Sequence, residues 1–225
     1  MKQSKLFHLL FPLVALSIPW IYIALIWNQL PQTIATHFDI SGAPDKFGAR
    51  NEIIYGPIIT TVVGIFMYFL LLNIHKIDPK KKYTATTAGV LSKIAVITLL
   101  LLCGVSMMMC YSALRGRIEG LPLLFCGISL FFAYMGNLMH SIKPNYFAGF
   151  RVPWALENEE NWRKTHQLAS KIWFAGGVAL AIVSLLLNVK ILVFVFMGGV
   201  LIMTIIPALY SYNLYRQSLR SGNNK

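Results

Sequence analysis

The side chains of this sequence that could do chemistry fall in two polar stretches. In the first, His37, Asp39, Asp45 and Glu52 could in principle gather a divalent cation, because imidazole and carboxylate are suitable ligands. Their spacing specifies no such site. Ser41-Gly42 and Ala43-Pro44-Asp45 are turn formers, and a His and an Asp two apart before Gly and Pro cap a turn by taking backbone amides. No metal and no cofactor is expected. The second stretch, from Gly136 to His166, packs Glu157, Glu159 and Glu160 into four positions, together with Arg151, Trp154, Trp162, Arg163, Lys164 and His166. Glu159 and His166 are seven residues apart, about 10 Å along a helix at 1.5 Å per residue, too far to share one ion. His166 instead stacks over Trp162 one turn earlier, a structural role. Ser106, Ser129, Ser184 and Ser211 are single serines in apolar runs, where a hydroxyl bonds the preceding turn or a neighbouring helix. There is no His-Glu-x-x-His, no Gly-x-Ser-x-Gly and no helical aspartate pair, so no reaction is assigned.

The elements that position these residues follow from composition. With 56% hydrophobic and only 12% charged residues, 225 residues cannot hide their apolar surface in a soluble core. Runs near or above the roughly 18 residues that cross a bilayer as a helix occur at about 6–27, 56–74, 90–111, 121–139, 172–189 and 191–212. Six transmembrane helices and an all-α fold are expected, since lipid admits only helices and closed barrels and the alternation of a barrel is missing. The first run follows Lys2 and Lys5 as a signal peptide would, but its apolar part of about 22 residues exceeds the roughly 7 to 15 of a signal core. It reads as a retained helix. No Asp or Glu lies inside any run, which argues against proton- or ion-coupled transport.

Basic flanks stay cytoplasmic. With the N-terminus inside, the outer side receives Lys46, Arg50, Arg115, Arg117 and Lys190, and the inner side the other fifteen of 20 Lys and Arg. Both termini are therefore cytoplasmic, loop 28–55 is extracytoplasmic and loop 141–171 is cytoplasmic. The net charge of +12 is a topology signal and an attraction to the lipid bilayer's anionic headgroups, with no nucleic-acid motif beside it. Lys80-Lys81-Lys82 forms a solvated cytoplasmic turn, and Lys93 snorkels to the interface. Cys103, Cys110 and Cys126 are packing residues with no disulfide spacing. The chain divides into a two-helix region, 1–88, and a four-helix region, 89–225, within one membrane domain. It also divides into three helices plus three, inverted in the membrane, although the halves share no clear residue-level similarity.

Locally, the segment before Ser41 alternates Ile34, Phe38 and Ile40 with polar residues, as a short extended piece of a compact lid would. Pro144 ends the fourth helix, and Gly149 and Pro153 turn the chain along the membrane surface. Tyr146, Phe147, Phe150 and Trp154 make an interfacial belt there. Asn158 caps a helix whose first turn holds Glu159 and Glu160, paired in the favourable order with Arg163 and Lys164. That helix lies on the surface or leads straight into the fifth span. Arg151 is expected to pair with a carboxylate or a lipid phosphate, because lipid penalises an unpaired charge, and the turn from Gly149 to Pro153 can fold it back towards Glu157, Glu159 or Glu160.

Asn137, Asn145, Gly149, Arg151, Pro153, Trp154, Asn161-Trp162 and Thr165-His166 fall in the order and spacing of the signature of the SdpI immunity-protein family, which this stretch resembles over roughly 35 residues. Pro31, His37, Asp39, Gly42 and Asp45 stand in a run that resembles a domain of unknown function commonly found ahead of the SdpI region. The resemblance implies a bacterial plasma-membrane protein that protects against a secreted antimicrobial peptide toxin. It implies binding, not enzymatic activity, with a cytoplasmic repressor as a further partner. A small membrane transporter or a membrane-embedded enzyme is the alternative.

Overall fold

A computed structural model describes residues 5–77 and 85–222. The turn Lys80-Lys81-Lys82 lies outside the described residues. Six helices are long and apolar enough to cross a membrane: α1 (Lys5–Ile26), α2 (Tyr55–Ile77), α3 (Ala85–Arg115), α4 (Leu121–Met139), α6 (Glu159–Leu186) and α7 (Val189–Gly222), with a short α5 (Pro153–Glu157) between α4 and α6. Each is longer than or equal to its apolar run, because polar flanks continue the helix beyond the hydrocarbon. The largest extension is α6, which starts at the Asn158 cap, so the surface segment leads straight into the fifth span. Lipid-facing exposure confirms the class: Leu186 and Phe194 are 76% and 72% exposed, which only a hydrocarbon solvent tolerates on this scale.

The helices assemble as two triples. α3 packs along α2 and α1, whereas α6 packs along α4 and α7. The tightest crossing is α4 on α6. A methyl at Gly136 would meet the Phe174 backbone nitrogen at 2.5 Å, and one at Gly177 the Ala133 nitrogen at the same distance. Without a hydrophobic force between helices in lipid, such close backbone approach is what holds them, and small residues permit it. Between α3 and α4 the packing is open, with a cleft of about 710 Å³ faced by Gly104 and Gly127.

Non-helical structure concentrates at the two ends of the bundle. Pro31 keeps Leu30 extended (ψ 134°), and the chain then forms a hairpin of β1 (Thr33–Phe38) and β2 (Pro44–Ala49). The hairpin docks on the α3–α4 connection, where the Ile118 amide donates to the Gly42 carbonyl at 3.1 Å. At the opposite end, residues 140–158 form an irregular island. Its Ile142 and Ala155, with Trp162 of α6, join one cluster with Ile74, Val90 and Leu91 at the ends of α2 and α3.

Candidate functional site

The structure brings the sequence-predicted residues into two groups, one at each end. At the hairpin end, Asp39 closes the turn: its Oδ1 accepts the Ser41 and Ala43 amides at 2.8 and 2.9 Å and the Ser41 hydroxyl at 2.6 Å. Gly42 takes φ +84° there, and a methyl on it would press on the Ile118 carbonyl at 3.2 Å. His37 Nδ1 and Asp45 Oδ1 meet at 2.5 Å across the strands. Glu52 turns back to accept the Ala49 amide at 2.9 Å. All four polar side chains thus serve the hairpin itself, and among the described residues no three His, Cys, Asp or Glu gather at one point. The Ser41 hydroxyl, and then the Ala43 amide, hold the Asp39 carboxyl below the usual carboxylate range.

At the island end, Asn145 is 1% exposed and uses its whole side chain. Its Nδ2 donates to the Lys143 and Ala148 carbonyls at 2.8 and 3.1 Å, and its Oδ1 accepts the Phe147 and Ala148 amides at 2.8 and 2.7 Å. No other residue type offers two donors and an acceptor in that plane except the longer Gln. The loop so formed delivers Gly149 (φ +102°) against His166, and a methyl there would overlap the ring. The Phe150 amide donates to His166 Nε2 at 3.0 Å. His166 Nδ1 lies 2.8 Å from the Trp162 carbonyl, so this nitrogen carries the proton and Nε2 the lone pair. The ring stacks on Trp162 at 4.0 Å between centroids, and Trp162 Nε1 donates to the Ile142 carbonyl at 2.8 Å.

A second network ties the island to α7. Trp154 Nε1 donates to Ser211 Oγ at 3.1 Å, the Ser211 hydroxyl to Asn161 Oδ1 at 2.7 Å, and Asn161 Nδ2 to the Ser211 carbonyl at 3.0 Å. Thr165 adds its hydroxyl to the same Asn161 oxygen at 3.0 Å. Ser211 carries this junction, yet in sequence it looks like any helix serine. The signal that could have found it is Asn161, a buried amide beside the Trp162 of the motif.

Three expectations need correction. Arg151 pairs with no carboxylate among the described residues: it is exposed and donates from Nη1 to the Tyr146 carbonyl at 2.8 Å. The loop curls tightly enough to offer that carbonyl first, and Glu160 is taken by Lys164 at 2.8 Å. The aromatic belt is partly internal, since Phe150 lies edge-on to His166 and Trp173, and Trp154 packs on Tyr212 and Tyr215. Ser129, Ser184 and Ser211 find the partners expected of helix serines, but Ser106 is buried with none among the described residues. Asn137 lies on an exposed face of α4, apart from both networks.

These features define a multi-pass α-helical membrane protein whose polar motifs cap opposite ends of the bundle. Residues 141–211 match the SdpI/YfhL protein family and residues 14–61 match a domain of unknown function, DUF1648, so the chain carries an SdpI/YfhL region behind a DUF1648 region. The immunity protein SdpI of Bacillus subtilis is 29% identical over 91 residues, 40% of this chain and 44% of that protein. An uncharacterized protein of Archaeoglobus fulgidus is 40% identical over 50 residues, 22% of this chain and 27% of its own length. The chain thus spans less than half the length of either relative. No solved structure matches.

Proposed function

We propose that this is an immunity protein of a bacterial plasma membrane, which protects its cell by binding a secreted hydrophobic peptide toxin. Similarity to a protein named for immunity supports the role, and the use of the motif residues supports binding over catalysis. Asn145, Trp162, His166 and Asn161 are each buried and committed to internal hydrogen bonds, so the motif builds a scaffold and offers no free acid, base or nucleophile. That commitment is the observation that carries the reading. The basic asymmetry of the loops supports an outer hairpin, where a secreted peptide arrives, and an inner island. A cavity of about 340 Å³ between Trp154, Asn158, Lys164 and Tyr215, beside the island, supports a cytoplasmic regulator as a further partner in this reading.

Graded expression in a toxin-susceptible strain tests the mode of action. Protection should rise in proportion to the amount of protein in the membrane, as stoichiometric capture requires. Full protection at trace expression, or recovery of cleaved peptide, would replace binding by turnover.

A further inference from the structure

Beneath the hairpin lies a cavity of about 390 Å³, lined by residues 34–38 of β1, the start of α2 and the end of α3. Successive side chains of a strand point to opposite faces, so a cavity lined by five consecutive residues faces the strand's edge. The pairing shows which edge. The Arg50 amide donates to the Gln32 carbonyl at 2.9 Å, and Thr33 and Ala35 stand opposite Ala49 and Phe47. Hydrogen-bonded and non-bonded pairs alternate in an antiparallel ladder, so Thr33 and Ala35 turn their amides and carbonyls away from β2. The sheet has two strands only, and among the described residues no other backbone pairs with that edge.

A second, independent feature borders the same space. Ser112 of α3 lines the cavity and is 1% exposed, and its hydroxyl has no partner among the described residues. A buried polar group left so costs free energy unless something completes it. Met108, Met109, Ile53 and Ile59 supply the apolar remainder, with the adaptable surface that methionine gives.

We infer that this cavity receives an extended apolar segment of a peptide, which adds as a third strand to the free edge of β1 and hydrogen-bonds Ser112. The inference rests on the immunity reading for its biological partner and locates where that partner binds. An acyl chain suits the methionines equally but leaves the Ala35 edge and the Ser112 hydroxyl unpaired, whereas an extended backbone carries donors and acceptors at the strand's own repeat. The regular edge from Thr33 to Ala35 spans about 7 Å at roughly 3.3 Å per residue, so about two to three residues of the guest lie alongside. The bulge between Ala35 and His37 ends the accessible edge, as bulges do beside binding sites.

The test uses the full-length protein in phosphatidylcholine–phosphatidylglycerol nanodiscs and a fluorescein-labelled pool of capped heptapeptides randomised among Val, Ile, Leu and Thr. A second pool carries N-methyl groups on alternate residues, which keep the side chains and block the ladder. The first pool should bind at least about tenfold more tightly than the second, because two or more ladder bonds are lost. Ser112→Ala breaks no internal bond and should weaken the first pool by about fivefold with a melting temperature equal to or above that of the wild type. Ala35→Pro, which removes an edge donor not used by β2, should weaken it as well. Equal binding of both pools, no saturable binding of either, or displacement of the peptide by a second copy of the chain overturns strand addition. Those outcomes leave protection intact through another surface. Protection at trace expression would instead sink the immunity reading while peptide binding in nanodiscs persists.

Discussion

Gly149→Ala is the sharpest probe of the island. The backbone there has φ +102°, a region L residues avoid, and the new methyl overlaps the His166 ring at Nε2. Holding a non-glycine residue in such a region costs about 1–3 kcal/mol. Moving the ring away deprives the Phe150 amide of its acceptor, for about 1–3 kcal/mol more. The total of about 2–6 kcal/mol is a large share of a typical stability of about 5–15. Thermal unfolding of the detergent-purified protein, followed by near-ultraviolet dichroism of the Trp162–His166 stack, should show a clear fall in Tm. Gly104→Ala is the control, because a methyl there meets nothing within 4 Å and alanine favours the helix by about 1 kcal/mol. His166→Ala makes room for the methyl but leaves the backbone strain, so the double variant should cost less than the sum of the singles. A Gly149→Ala protein that melts with the wild type, with its Phe150 amide still protected from exchange, would refute this account of the loop.

Further outcomes follow from single contacts. Arg151→Lys and Arg151→Ala should each lower stability by no more than about 1 kcal/mol in the same unfolding assay, because the guanidinium is exposed and bonded to one carbonyl; a loss of folding in either would show a carboxylate partner after all. The Asp39 carboxyl has a folded pKa below its unfolded value of about 3.9, so the turn's stabilisation is complete above that value and is lost as pH falls through the folded one. Amide exchange at Ser41 and Ala43 should therefore quicken relative to Arg50, whose acceptor is a carbonyl, as pH falls below the ordinary carboxylate range; equal protection would deny the carboxylate its role. In a cysteine-free variant of intact cells, an impermeant thiol reagent should label Lys46→Cys and not Glu157→Cys, both positions being exposed; the reverse pattern would invert the topology.

Membrane helices are legible because length and polarity alone select them: the spans at 121–139 begin and end where the apolar run does. The Asn158 cap was equally legible, since the chemistry of an N-cap is local, and its Oδ1 indeed accepts the Asn161 amide at 2.9 Å. Stacking of His166 on Trp162 followed from helical spacing. What sequence could not supply is the partner of a group whose bond crosses between elements. Arg151 had three carboxylates near in sequence and took a carbonyl, because the path from Gly149 to Pro153 depends on Asn145, which no spacing rule connects to it. The hairpin's extended segment was visible as alternation, but its free edge and its place against α3 depend on a docking contact between Gly42 and Ile118, 76 residues apart.

The most specific motif of the chain sits where the two helix triples meet, and lipid explains why. Along α3 and α4 the packing leaves an open apolar cleft, and since lipid tails are as apolar as its side chains, no hydrophobic force obliges the triples to close there. At the island end the chain leaves the helical state between α4 and α6, and every buried amide and carbonyl then needs a partner. Asn145 satisfies four such groups, His166 one more from Phe150 and Trp162 another from Ile142. Each partner is a backbone atom at a fixed distance, so Asn145, Trp162 and His166 can hardly be exchanged, whereas the lipid-facing residues need only be apolar. The same island packs its apolar side on Ile74, Val90 and Leu91. It thereby clasps the first triple to the second at one end, while α2 and α3 both run from that clasp to the cavity under the hairpin. A peptide seated there would touch α2 and α3, and both helices also reach the island.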